Sequence, residues 1–266
     1  GDAADPLLYA LVRRGVGGRR ARPVQPPIWA RRGAAERGPA VVRLDMHGHT
    51  YWSKDSRLSL ASLERAIRRA GLDAVCITDH NEIGGAFELA ARGNVRVIIG
   101  EEVRTAEGEI IGLFLKEQIP VHLSPEETIA AIRGQGGIVY IPHPFDSYRG
   151  SRLQPAALAR VLPDVDVLEV FNARNLLSSQ NRRARAYAEE HGLRMGAGSD
   201  SHTAVEVGHG YVEIPSFEGP QEFLAALPSA AVHGRLTHPL IHVLTRYDRT
   251  VKRIRARRSA TDAATL

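Results

Sequence analysis

Between Val41 and Leu227 short apolar runs alternate with amphipathic stretches, and six of the apolar runs end in histidine, aspartate, glutamate or asparagine. Alternation of this kind argues for parallel strands joined by helices. Polar residues at many strand ends, rather than at one switch point, argue for a closed barrel and against an open doubly wound sheet. The expected fold class is α/β, a barrel with a site at the C-terminal ends of its strands. No internal repeat breaks the pattern.

The spacing predicts strands over 41–47, 73–78, 95–99 (running into Gly100-Glu101-Glu102-Val103), 109–115, 138–142, 165–171, 194–198 and 209–214. It predicts helices over 60–70, 84–92, 125–134, 155–162, 180–191 and 219–227. Ser124-Pro125-Glu126-Glu127 is a capping box with proline at the first helical position. Three segments follow: an Arg/Pro/Gly-rich arm over 1–40, a barrel over 41–237, and a basic segment over 238–266 that is helical at first and disordered beyond.

Charge divides along the same lines. Residues 1–40 hold eight arginines against three acids, and 246–266 hold seven Lys/Arg against two, so an acidic body carries two basic ends. Solvated tails explain that better than nucleic acid as the main partner. Cys76 is the lone cysteine, which excludes a disulfide framework and favours a reducing, cytoplasmic setting. No apolar run reaches the roughly 18–20 residues of a membrane helix. No phosphate-binding glycine loop follows a strand, and no Gly-x-Ser-x-Gly elbow surrounds Ser199 or Ser201.

The chemistry concentrates in His47, His49, Asp55, His80, Glu102, Glu109, His143, Asp200 and His202. His47 and His49 alternate with Gly48, so a strand would point both imidazoles one way. Asp200 and His202 repeat that spacing. All nine fall at or just past a predicted strand end, except Glu109, which opens one. Imidazole and carboxylate without thiolate suits Zn, Mn or Fe and carries too much nitrogen for Ca or Mg. Nine ligands exceed one ion's capacity, so two or three divalent ions sharing a carboxylate are expected. Such ions would bring a water's pKa toward neutrality and neutralise charge on a phosphoryl group.

Five stretches, Leu44-Asp45-Met46-His47-Gly48-His49-Thr50, Ile77-Thr78-Asp79-His80-Asn81, Gly100-Glu101-Glu102-Val103, Ile141-Pro142-His143-Pro144-Phe145-Asp146 and Gly198-Ser199-Asp200-Ser201-His202, together resemble the PHP (polymerase and histidinol phosphatase) family. The resemblance runs from about 41 to 214. It implies a distorted (β/α)7 barrel, a trinuclear metal site and hydrolysis of phosphate esters. Carried over, it gives His47, His49, Glu102 and Asp200 to a first ion. Glu102 and His143 go to a second, and Asp55, His80 and His202 to a third. Where many members carry a second-metal histidine this chain has Glu109, which either ligates or is a surface charge. Asp55 is either a ligand or a turn cap.

Substrate selection falls to loops. Arg149 is the first candidate for a phosphate clamp, with Asp146 as its alternative partner and Arg152 and Arg174 as weaker clamps. Asn172 and Asn175 would bind substrate or orient a ligand. Tyr51 and Trp52 would stack on a ring, or Trp52 would pack in the core. His209 is a candidate to back the Asp200/His202 loop. His122, His191, His233, His238 and His242 have no ligand partners. The expected activity is a phosphomonoesterase on a small phosphorylated molecule, with catalysis carried by His47, His49, Glu102, His143, Asp200 and His202. The alternatives are a phosphodiesterase or exonuclease on short oligonucleotides, a non-catalytic metal-binding barrel, and, least of all, carbon–nitrogen hydrolysis. Oligomeric state has no signature.

Overall fold

A computed structural model of the chain describes residues 41–241. The arm over 1–40 and all of 238–266 after Ile241 lie outside the described residues, and so does His242. Within them one sheet runs in the order β7-β6-β5-β4-β3-β2-β1-β8-β9. The strands are β1 (Val41–Gly48), β2 (Ala74–Ile77), β3 (Arg96–Thr105), β4 (Gly108–Leu113), β5 (Ile138–Ile141), β6 (Val167–Asn172), β7 (Arg194–Gly198), β8 (Gly210–Pro215) and β9 (Ala231–Gly234). The helices are α1 (Leu60–Ala70), α2 (Gly84–Ala91), α3 (Pro125–Gly134), α4 (Pro155–Val161), α5 (Ser178–Glu190) and α6 (Gly219–Ala226). At its far end β7 meets β1: Asp200 N–H donates to His47 O (2.7 Å), His49 N–H donates to Ser201 O (3.0 Å), and Gly48 and Ser201 form a parallel bridge. The sheet is thereby nearly closed, a TIM-like barrel.

Two features depart from the expected parallel sheet. β4 is antiparallel to both β3 and β5, and β8 and β9 are antiparallel additions beside β1. The connection from Thr105 to Gly108 is too short for a crossover, so β3 and β4 must form a hairpin. β9 has no counterpart in the sequence reading. It is short, half exposed and pairs only with β8, which leaves little periodic signal.

Helix ends follow their local signals. Ser59 caps α1, accepting from Ser62 N–H, and Gly71 ends it in the left-handed conformation (φ 66°). The capping box at Ser124 and Glu127 starts α3 as its sequence requires.

Period-two alternation sorts side chains between the barrel interior and the helix layer. Ile138 and Tyr140 on β5 pack inward with Leu44, Met46, Cys76 and Val167, while Val139 and Ile141 face α3 and α4. Ile98, Gly100 and Glu102 share the inward parity of β3. A register shift against β2 between Asp45 and Gly48 changes the parity of β1. Leu44 and Met46 therefore enter the apolar interior, and from the very next residue the inward direction passes to His47 and His49.

Candidate metal centre

Eight of the nine candidate ligands form four overlapping sets whose donor atoms lie within 4.8 Å of one another. The sets are His47/His49/Asp200, His47/Glu102/His143, His49/His80/His202 and His80/Glu102/Glu109. Asp55 stands between two of them, with Oδ2 3.5 Å from His80 Nε2 and Oδ1 3.3 Å from His202 Nε2. Asp55 thus faces the cluster. The position of Glu109 follows from the reversed strand. Because β4 runs against its neighbours, its first residues lie where β3 and β5 finish. Glu109 is buried there, 3.9 Å from both His80 Nδ1 and His143 Nε2, and is no surface charge.

Tautomers are assigned by the atoms behind the rings. His47 Nδ1–H donates to Glu169 Oε1 (3.0 Å) and His202 Nδ1–H donates to the Asp200 carbonyl (2.8 Å). Ser53 gives its proton to Asp79 Oδ1 (2.8 Å), so its Oγ accepts from His49 Nδ1–H (3.0 Å). The Nε2 lone pairs of His47 and His49 then face each other at 3.2 Å. Glu102 Oε2 lies 3.4 Å from each, and Asp200 Oδ1 lies 3.7 and 3.3 Å from them. Both oxygens are buried without a hydrogen bond.

Four electron-rich atoms facing inward repel unless a cation joins them. Ligand bonds of 2.0–2.2 Å in a tetrahedron space donor atoms by roughly 3.3–3.6 Å, close to the separations observed. The residues present therefore fit a divalent ion. Two further buried carboxylate oxygens without hydrogen bonds, Asp55 Oδ1 and Glu109 Oε2, mark the other sets.

The electrostatics divide the donors: burial lowers His47, but Asp200, Glu169 and Glu102 outweigh it and raise the ring well above its ordinary value, so a cation binding there would displace a proton. Burial disfavours charge on Glu102 and Asp200, but His80 and His47 around Glu102, and Arg149 and His47 around Asp200, hold both carboxyls well below the usual range. Burial and the neighbouring His202 and His80 push His49 down to about 3, so this ring presents a lone pair at neutral pH. His80 goes the other way, because Glu102 and Asp55 outweigh its burial.

Backbone strain gathers at the same place. His143 (φ 31°) and Asp200 (φ 52°) are two of only five non-glycine residues with positive φ among the described residues, and Asn81 (φ 56°), next to His80, is a third. Gly198 is required beside them, since a Cβ there would collide with the Cβ of His47.

Several supports went unrecognised in the sequence. Glu169, inside the barrel on β6, accepts from His47 Nδ1, Tyr140 OH (3.2 Å), His143 N–H (2.6 Å) and Asn172 Nδ2 (2.9 Å). An acid inside Val167-Leu168-Glu169-Val170 was the available signal. Asp45 accepts from Ser199 N–H (2.9 Å) and Gly208 N–H (3.3 Å), and Glu206 from His202 N–H (3.1 Å) and Thr203 N–H (2.9 Å).

The substrate candidates divide. Arg149 Nη1 donates to Asp200 Oδ2 (2.6 Å) and its Nε to Asp146 Oδ2 (3.3 Å), which places it at the cluster with both partners. Asn172 is fully buried and its amide donates to Glu169 and to Asp200 Oδ2 (3.2 Å), contacts that belong to its ligand-orienting alternative rather than to substrate binding. Asn175 is likewise buried, donating to Asn181 Oδ1 (2.6 Å). Arg174 is buried against Glu206 (3.1 Å). His209 turns away to Thr237 and Arg235. Trp52 is 40% exposed and is no core residue.

Comparisons with known proteins bear on the same elements. A family model described as PHP-associated matches residues 178–232. An uncharacterized protein of Methanocaldococcus jannaschii, MJ0417, is 36% identical over 197 residues, covering 70% of this chain and 79% of that protein. A second from that organism, MJ1587, is 41% identical over 146 residues, covering 50% of this chain and 82% of its own length. Among solved structures, a two-domain protein from Bacteroides vulgatus, described as containing a predicted PHP-like metal-dependent phosphoesterase, has a TM-score of 0.59 at 19% identity. The match covers 82% of this chain and 70% of that one. PsfC from Pseudomonas syringae has the same TM-score at 20% identity, covering 79% of this chain and 98% of its own. At such identities the likeness is one of fold.

Proposed function

Because the chain belongs to the PHP family, we propose that it is a metal-dependent hydrolase of phosphate esters, a phosphomonoesterase acting on a small molecule. In this reading β1 to β7 are the seven staves of a distorted barrel and the cluster is its catalytic mouth. The observation that carries it is the convergence of His47 Nε2, His49 Nε2, Glu102 Oε2 and Asp200 Oδ1, the two oxygens buried without hydrogen bonds. His47, His49, Glu102 and Asp200 would hold one ion, His143 with Glu102 and Glu109 a second, and Asp55, His80 and His202 a third, the metal being Zn, Mn or Fe.

Bound there, divalent ions supply a hydrolytic nucleophile at neutral pH and neutralise charge on the phosphoryl oxygens. The protein's part is positional. Glu169, Ser53 and the Asp200 carbonyl each accept from Nδ1 of His47, His49 and His202, which leaves Nε2 as the nitrogen each ring turns to an ion. Arg149 offers a guanidinium beside Asp200, where a phosphoryl oxygen entering the cluster would meet it.

The test is metal reconstitution followed by phosphate release from a panel of monoesters and diesters. Release from monoesters that vanishes with His143→Ala and with Asp200→Ala is expected. Metal-replete protein that releases no phosphate from any ester would overturn the reading.

A further inference from the structure

The ligands are not equally covered. The side chains of His47, His49, Glu102, His143 and Asp200 are fully buried, whereas His80 is 10% and Asp55 18% exposed. Asp55, in the loop after β1, and His80, shortly before α2, are therefore the ligands solvent reaches most, while Arg149, bonded to Asp200, is 19% exposed.

Tyr51 and Trp52 occupy that loop. They are the two central residues of a turn closed by Ser53 N–H donating to Thr50 O (3.1 Å). Both flanking residues are tied into the site: Thr50 donates to Asp79, and Ser53 accepts from His49 Nδ1 and from His80 N–H (3.0 Å). The turn cannot drift while the ligands stay in place. At its tip Tyr51 and Trp52 are 41% and 40% exposed, with ring centroids 6.1 Å apart.

Two devices hold these rings. Tyr51 OH (2.6 Å) and Trp52 Nε1–H (3.0 Å) both donate to one oxygen of Glu88 on α2. The indole also lies against Gly84 and Gly85. A Cβ at Gly84 would come within 2.6 Å of Trp52 Cζ3, and one at Gly85 within 3.0 Å of Trp52 Cδ1. Exposed aromatics anchored by their polar atoms and seated on paired glycines are pre-organised for contact with a flat apolar ring.

Resting on the phosphoesterase reading above, we infer that the Trp52 indole, with the Tyr51 ring beside it tilted by 42°, is a stacking platform for an aromatic or heteroaromatic leaving group, which makes aryl or nucleoside phosphates the substrate class. The platform is a specificity element. It touches the leaving group and takes no part in the chemistry at phosphorus.

The test uses the full chain reconstituted with metal. The chain has two tryptophans, Trp29 and Trp52, so Trp29→Phe makes Trp52 the sole indole reporter. Titration with adenosine 5′-monophosphate should quench it saturably, and glycerol 3-phosphate should not. Gly84→Ala, which displaces the indole but keeps it, should weaken adenosine monophosphate binding about tenfold, the scale of one base-stacking contact. Trp52→Ala should lower the ratio of kcat/KM for adenosine monophosphate and for phenyl phosphate over that for glycerol 3-phosphate by a similar factor. A larger effect with adenosine monophosphate assigns a nucleoside, and equal effects assign any aryl ester.

Equal quenching by glycerol phosphate, or ratios unmoved by both variants, would overturn the platform. If the wild type hydrolyses none of the esters, the phosphoesterase reading falls. The fluorescence titration still decides the platform, retained by saturable quenching with adenosine monophosphate and removed without it.

Discussion

Glu169→Gln is the most informative single substitution. Glu169 accepts four hydrogen bonds from four donors, two on each oxygen: His47 Nδ1 and Tyr140 OH on Oε1, His143 N–H and Asn172 Nδ2 on Oε2. Glutamine has the same shape but must turn its NH2 toward one pair. The backbone N–H of His143 cannot become an acceptor, and flipping the Asn172 amide would lose its bonds from Arg174 N–H and to Asp200. On the other side Tyr140 can rotate its hydroxyl, and His47 can move its proton to Nε2. The amide will therefore face His47, and the tautomer that results puts a proton on the nitrogen aimed at Glu102 and Asp200.

Loss of a charge-assisted hydrogen bond costs about 1.5–3 kcal/mol, a fall in Tm of roughly 3–12 °C for a domain of this size. Metal affinity should drop about 10–100-fold, as it does when such outer partners are altered. Chelator competition gives the affinity and scanning calorimetry of the metal-free protein gives the Tm. Unchanged affinity in the glutamine variant would refute the tautomer reasoning, whatever happened to stability.

Arg149→Ala should raise KM for phosphate esters about tenfold or more, the worth of a charged hydrogen bond, and steady-state kinetics will show whether kcat stays nearer its wild-type value. Adding a fitting divalent ion at about 100 times its Kd should stabilise the metal-free protein by about 2.7 kcal/mol, seen in thermal scans as a rise of roughly 5–11 °C. No rise with Zn, Mn or Fe would count against the cluster as a metal site. On α1, burial pushes Glu64 up, but Arg92 Nε at 2.6 Å and Asn94 hold it below its ordinary value. A depressed carboxyl contributes stability above its unfolded pKa of roughly 4.3 and loses it as pH falls through the lower folded value. The Tm difference between wild type and Glu64→Gln should accordingly be present at pH 7 and shrink in strongly acidic buffer.

Individual residues show where sequence reasoning reached and where it stopped. α1 and α3 were legible because their signals are local: Ser59 and Gly71 bound one, and the Ser124–Glu127 box opens the other. Asp55 and Glu109 were ambiguous, since a carboxylate beside a turn or at a strand start reads alike whether it faces solvent or a neighbouring histidine. Glu169, Asp45 and Glu206 were passed over because their partners lie in other elements or are backbone N–H groups. Asn172 stayed open between substrate contact and ligand support because a polar residue at a strand end does not say which neighbour it will meet.

Residue type and spacing alone were enough for the donor chemistry and for the order of the helices and of the strands as far as β8, while β9 left no such mark. Alternation at periods of two and 3.6 dictates which elements form, and imidazole with carboxylate dictates what kind of ion they can bind. Tertiary structure decided direction and proximity. The reversal of β4 brought Glu109 into the cluster, and the register shift in β1 turned His47 and His49 inward. The near-closure of β7 on β1 brought Asp200 to them. Direction and closure depend on contacts between residues far apart in the chain, which no local pattern encodes.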